Sequence, residues 1–165
     1  MDEEIRIVSA DSGRFLGQVR EIFREYQVSL GIDLCFQDFE EELSSLPGKY
    51  GPPGGRLYLA LVGREAAGCI ALRSFEGKRC EMKRLYVRPG FRGRNLGRML
   101  AEKVIEEARK TGYSEMLLDT LPSMTAAQSL YRSLGFREIG PYCFNPVEGT
   151  RYMKLDLSCE GSIAG

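Results

Sequence analysis

The stretch Glu81-Met82-Lys83-Arg84-Leu85-Tyr86-Val87-Arg88-Pro89-Gly90-Phe91-Arg92-Gly93-Arg94-Asn95-Leu96-Gly97 decides the reading of this chain. Residues 80–87 read as a strand, Pro89-Gly90 ends it, and from Asn95 apolar residues recur at helical spacing as Leu96, Met99, Leu100, Val104, Ile105 and Ala108. Strand, loop and helix start bring free backbone N–H groups and the positive end of a helix dipole to one point. That arrangement suits an anion. Gly93 and Gly97 remove side chains where backbone must approach a ligand, and Arg92, Arg94 and Arg98 offer cationic donors to phosphate oxygens. A basic solvated turn ahead of an ordinary surface helix has the same composition, and spacing alone does not choose between the two.

Working outward, residues 5–8 predict a first strand. Asp11-Ser12 is an N-cap for a helix carrying Phe15, Leu16, Val19, Ile22, Phe23 and Tyr26, and Gly31 stops it. Residues 36–46 predict a second, acidic helix bearing Asp38, Glu40, Glu41 and Glu42, and the Pro/Gly-rich residues 47–55 a flexible, mobile connector. Strands at 57–62, 68–73 and 80–87 with short turns between them form an antiparallel meander. The long helix over 95–110 is closed by Gly112. The nearly continuous apolar run at 115–120 is a buried strand, parallel to 80–87 by its strand-helix-strand connection. A helix over 123–134 ends at Gly135, and strands at 136–139 and 151–157 close the chain, with no internal repeat.

The 165 residues, 43% of them hydrophobic, suffice for one domain that buries roughly 70% of its unfolded surface. Lysine plus arginine balances aspartate plus glutamate, 23 against 23, so no global field favours nucleic acid or a membrane surface. Met1-Asp2-Glu3-Glu4 is acidic where a signal peptide is basic, and no apolar run spans a bilayer, so a cytoplasmic protein is expected. Cys35, Cys69, Cys80, Cys143 and Cys159 are widely spaced and read as reduced thiols, outside any zinc or disulfide pattern. With His 0, histidine triads and histidine metal ligands are excluded.

Residues 81–97 resemble motif A of the GNAT superfamily of N-acetyltransferases. Its loop runs glutamine or arginine, two variable positions, glycine, one variable position, then glycine or alanine. The resemblance implies that the amides of Arg92, Gly93, Arg94, Asn95, Leu96 and Gly97, with Arg98 beside them, bind the pyrophosphate of acetyl-CoA. It also implies that Leu85, Tyr86 and Val87 pair with the pantetheine arm through their backbone. Asn95 departs from the pattern, standing where the family usually has its central glycine; asparagine tolerates a left-handed backbone and caps helix starts, so a working loop is expected. Ala126-Ala127-Gln128-Ser129-Leu130-Tyr131-Arg132-Ser133-Leu134-Gly135-Phe136 is similar to the family's next helix, so the likeness runs over about residues 56–136. It implies an α/β GNAT fold: a mixed, mostly antiparallel, twisted sheet of about six to seven strands with about four helices on both faces. Acetyl-CoA would enter at a V-shaped splay between the two central parallel strands. Residues 1–157 would form a single N-acetyltransferase domain, followed by a frayed tail at 158–165.

The resemblance further implies direct acetyl transfer to a primary amine in a ternary complex, without metal or acyl-enzyme. The absence of an accessory docking domain favours a small-molecule amine as partner, for a monomer or a homodimer. A protein N-terminal or lysine acetyltransferase and a non-catalytic acyl-CoA-binding module are the competing readings. Glu81, eleven positions before Arg92, matches the general-base glutamate of one branch. A carboxylate near ~4.3 and an alkylammonium near ~10.4 differ by about 6 pKa units, roughly 8 kcal/mol for direct transfer, so Glu81 needs a raised pKa, a water relay or an already neutral amine. Alternatively Glu81 pairs with Lys83 or Arg84. Tyr131 matches the tyrosine placed near the thioester sulfur; a phenol at ~10 against a thiol at ~8.5 makes a hydrogen bond to the thiolate a better role than proton donation. Tyr131 is otherwise a packing aromatic beside Leu130 and Leu134. Tyr86 and Asp119 could face the cleft where the two central strands end but read mainly as structural strand ends, the acidic helix could attract a cationic amine but reads mainly as a solvated face, and Cys80 and Cys143 read as packing thiols.

Overall fold

The computed structural model describes residues 4–11, 13–30 and 39–158. The cap at Ser12, the stop at Gly31, the first residues of the acidic helix, Cys35, Cys159 and most of the tail lie outside that set. In chain order the elements are Ile5–Ser9 (β1), Phe15–Leu30 (α1), Phe39–Ser45 (α2), Arg56–Val62 (β2), Glu65–Ser74 (β3), Arg79–Val87 (β4), Leu96–Thr111 (α3), Glu115–Thr120 (β5), Thr125–Ser133 (α4), Arg137–Ile139 (β6) and Arg151–Asp156 (β7).

Leu57 through Val62 is apolar at every position, so both faces of β2 must be covered. Tyr58, Ala60 and Val62 enter a core shared with α3 and α4; Leu57, Leu59 and Leu61 enter a second core shared with α1 and α2. A mixed seven-stranded sheet results, in the order β1-β2-β3-β4-β5-β7-β6, with helices on both faces as expected. Val62 pairs with Glu65 across the two-residue turn Gly63-Arg64, so β3 starts earlier than 68. Ala66 and Ala67 are both buried and show no apolar-polar alternation, which hid the start of this strand from the sequence reading. Helix α3 buries Leu96, Leu100, Ala101, Val104, Ile105 and Ala108 on one stripe and ends at Gly112. A fully buried leucine or isoleucine of this kind contributes roughly 1.5–3 kcal/mol.

The expected mobile connector is instead packed down. Tyr50 lies in a 3-10 turn, Gly48–Tyr50, wholly buried with its ring edge-on to Phe23 at 6.2 Å. The Tyr113 hydroxyl donates to Gly54 O at 2.6 Å, and the Gly55 N–H donates to Gly51 O at 2.9 Å. An aromatic within a Pro/Gly-rich run supplied an anchor that composition alone did not weigh.

Strands β4 and β5 run parallel, as the sequence predicted, but pair only through Arg79, Cys80 and Glu81 opposite Glu115, Met116 and Leu117. Beyond that rung they part. On its other edge β4 carries one extra residue against β3, where Cys69 faces Tyr86 but Ala71 faces Lys83, and Arg84 has φ 62. A bulge of this kind bends a strand and increases its twist. The bulge reverses the alternation: Cys80 and Met82 point to the α3 core before it, while Tyr86 points to the α1 core after it. Glu81 and Lys83 therefore share the α1/α2 face with Arg84 and Tyr86.

Candidate active site

The splay opens a narrow cleft of about 40 Å³, bordered by Lys83, Arg84 and Leu85 on β4, Asp119 and Thr120 on β5, and Tyr131 on α4. A wider basin of about 520 Å³ continues past Val87 to Arg92, Gly93, Asn95, Gly97 and Leu130. Between them β4 presents a backbone edge with no β5 partner beyond Glu81, where Leu85, Tyr86 and Val87 were expected to meet an extended ligand.

At the basin, Gly93 has φ 87, a conformation costly for any side chain, and Asn95 follows at φ 66, ψ 19. Asn95 thus adopts the left-handed backbone that was expected, but its side chain makes no cap hydrogen bond. The first bond closing α3 runs from Met99 N–H to Asn95 O at 3.1 Å, so the amides of Leu96, Gly97 and Arg98 have no helical acceptor. A methyl group on Gly97 would meet nothing nearer than Leu130 Cδ2 at 3.7 Å. The fold itself does not require glycine there. Arg92 donates from Nε to Val87 O at 3.0 Å and lies over the Tyr86 ring at 5.8 Å; Arg98 engages Ser133 and, at 3.6 Å, Glu102; Arg94 lies over the Phe91 ring. The Tyr86 ring itself stacks edge-on against Tyr26 at 5.9 Å in the α1 core, so its side chain is structural.

Tyr131 is buried beside Phe136 at 5.7 Å and its hydroxyl is pushed well above the ordinary phenol value, chiefly by burial. Glu81 is only 3% exposed. Its Oε1 accepts from Arg73 Nε at 2.9 Å and its Oε2 from the Tyr142 hydroxyl at 2.6 Å, with Lys83 Nζ at 3.8 Å. Burial acts to raise its pKa, but Lys83, the Tyr142 hydrogen bond and Arg73 outweigh that and hold it below the ordinary value of 4.5. Of the three routes open to Glu81 as a base, these partners act against the raised pKa.

The sequence reading missed the partners that hold the charged side chains beside the cleft. Glu42 binds Arg84 bidentately at 2.9 and 3.0 Å, both side chains being buried, so the acidic helix spends one carboxylate inside the protein instead of on a solvated face. Asp119 accepts from Asn145 Nδ2 at 3.1 Å. Tyr142 and Asn145 come from the segment between β6 and β7, which no motif marks. Cys80 is a buried thiol raised to about 12, and half-buried Cys143 is raised to about 11, each mainly by desolvation, consistent with packing thiols.

The sequence model of the acetyltransferase (GNAT) family matches residues 16–136. An uncharacterized N-acetyltransferase of Schizosaccharomyces pombe is 43% identical over 148 residues, covering 87% of this chain and 89% of its own. The N-acetylaspartate synthetase of Homo sapiens is 37% identical over 90 residues, 54% of this chain and 30% of that protein. Among solved structures, a GNAT-family acetyltransferase from Staphylococcus aureus superposes with TM-score 0.77 at 24% identity, covering 93% of this chain and 99% of its own. A Bacillus subtilis acetyltransferase solved in complex with CoA gives TM-score 0.68 at 20% identity, covering 93% and 99%.

Proposed function

The chain belongs to the acetyltransferase (GNAT) family, and from that premise we propose that it moves the acetyl group of acetyl-CoA onto the primary amine of a small molecule within a ternary complex. The observation that carries this reading is the continuity of three features: the unpaired β4 edge past Glu81, the free amides at the start of α3, and Gly97, which has room for a methyl the fold would accept. A glycine that packing does not demand is accounted for by a ligand that approaches the backbone. The amides of residues 92–97 would hold the pyrophosphate, and Leu85 to Val87 the pantetheine arm.

When bound, acetyl-CoA supplies the thioester carbon that the amine attacks as the carbon–sulfur bond breaks. Tyr131, with its proton held firmly by burial, would donate a hydrogen bond to the departing thiolate without transferring the proton. Glu81, with both oxygens engaged and its pKa depressed, supports a positioning role for Arg73, Lys83 and Tyr142 better than direct proton abstraction. The acceptor would then react as the neutral amine, its proton leaving to solvent, and the rate would rise with pH through the amine's own pKa. The human relative bears the name of a synthetase of N-acetylaspartate, which favours a small-molecule acceptor over a protein terminus or lysine. A cytoplasmic location belongs to the same proposal; Cys69, Cys80 and Cys143 stay free thiols. No described helix is long and apolar enough to cross a membrane.

The deciding experiment incubates the purified chain with acetyl-CoA and a panel of amines, amino acids and peptides while CoA thiol is detected. Release with a small amine is expected. Acetyl-CoA binding without transfer to any acceptor would make the protein a binding module, and transfer confined to peptides would make it a protein acetyltransferase.

A further inference from the structure

Lys83 and Arg84 border the cleft, and the cluster of charged side chains behind them holds more positive charge than its carboxylates neutralise. Arg84 takes both oxygens of Glu42, and Arg73 with Tyr142 takes both oxygens of Glu81. Two further cations stand against the same two carboxylates at longer range: Lys49 Nζ is 3.5 Å from Glu42 Oε1 and Lys83 Nζ is 3.8 Å from Glu81 Oε2. Four cations on two carboxylates leave two positive charges without a counter-ion in this cluster. Lys83 is the more telling, because its side chain is only 10% exposed, borders the splay cleft, and a desolvated ammonium without a full partner is costly. Lys49 carries the same imprint: its pKa is lowered, first by burial and then by Lys83, Arg73 and Arg84, against the opposing pull of Glu42. Across the cleft, Asp119 on β5 is held by Asn145, and among the described residues no cation lies within ion-pair distance of it.

We propose that Lys83, backed by Lys49 and Arg73, forms an acceptor subsite for a carboxylate, with Asp119 facing the acceptor's amine, so that the substrate is an aminocarboxylate. The geometry is bipolar: a cationic wall on β4 and an anionic group on β5, on the face of the sheet that α1 and α2 cover. An acceptor with ammonium and carboxylate groups complements both. Binding of the carboxylate supplies the missing counter-charge of Lys83, while Asp119 favours entry of the ammonium end before it loses its proton. The bulge at Arg84 is what makes the arrangement possible, since it places Lys83 and Arg84 on one face while Glu42 takes Arg84 and leaves Lys83.

This inference rests on the amine-acceptor reading above, and its test separates the two. The full chain is assayed with matched acceptors, each offered as the amino acid, its carboxamide and the decarboxylated amine, both by CoA thiol release and by saturation-transfer NMR on the CoA-loaded protein. The carboxylate form should exceed the other two by roughly tenfold or more in kcat/KM, the scale of one charge-assisted hydrogen bond. Lys83→Met should erase that preference mainly through KM, and the more exposed Lys49→Met should reduce it less. Equal use of the three forms, or a preference that survives Lys83→Met, overturns the proposal. If no acceptor releases thiol, the acetyl-transfer reading fails by itself. The NMR arm then decides this one: aminocarboxylate binding lost in Lys83→Met upholds the subsite, and indifference to that variant overturns it.

Discussion

The two ends of β4 are built from opposite materials. At its C-terminal end, from Val87 to Gly97, the groups facing the basin are backbone amides, a strand edge and glycines, held by local turns. Near the bulge, Glu81 and Arg84 are charged side chains locked into partners from α2, β3 and the segment after β6. A nucleotide-bearing donor common to a whole family can be held by backbone groups, which a side-chain exchange does not delete. On the proposal above, acceptor choice would reside in side chains, each of which can be exchanged, and burying them would couple recognition to stability.

That contrast can be broken most forcefully at Glu42. Glu42→Gln strands Arg84 in the interior and should cost about 3–5 kcal/mol in urea unfolding, with CoA affinity of the folded fraction unchanged. A loss below about 1 kcal/mol would show that this end is no more interdependent than the other. Acidification probes the same carboxylates. Burial alone would raise Glu42 and Glu81, but their cationic partners hold both below the ordinary 4.5. The unfolded chain then binds more protons, and stability rises with pH. Their contribution is complete above about 4.5 and is lost as pH falls through the folded values. Glu42→Gln and Glu81→Gln should each flatten the acid side of a stability–pH curve.

Smaller effects sharpen the donor end. Tyr131→Phe should lower kcat by roughly 10- to 100-fold, the worth of a hydrogen bond to a charged group, while acetyl-CoA affinity holds; unchanged turnover would remove Tyr131 from the reaction. For Gly97→Ala, thermal unfolding should show no loss and up to ~1 kcal/mol of gain, because the methyl has space and alanine favours helix, yet CoA affinity should fall about tenfold in calorimetry. Destabilisation there would assign the glycine to packing instead of to a ligand. Asn95→Gly relieves a left-handed backbone and should stabilise by less than ~1 kcal/mol while tightening acetyl-CoA binding; weaker binding would mean that the asparagine side chain itself serves the loop.

What the sequence determined by itself is the part of the molecule made by neighbours in the chain. The strand over residues 80–87, the loop at 92–97 and the stripe Leu96, Leu100, Val104 and Ala108 declare themselves through periodicity, glycine placement and helix-start chemistry. The parallel placement of residues 115–120 follows from a strand-helix-strand connection. The tertiary structure decided the rest. Arg84 reads as one more charged residue of a strand until α2 delivers Glu42 from 42 positions away, and Glu81 reads as either a base or an ion-pair partner until Arg73, Lys83 and Tyr142 surround it. Tyr50 likewise turns an apparently loose connector into a packed one by reaching Phe23. The physical reason is the range of the forces involved. Backbone conformation and amphipathic spacing are fixed within a few residues, whereas a buried charge is set by desolvation and by whichever partners the fold brings within a few ångströms.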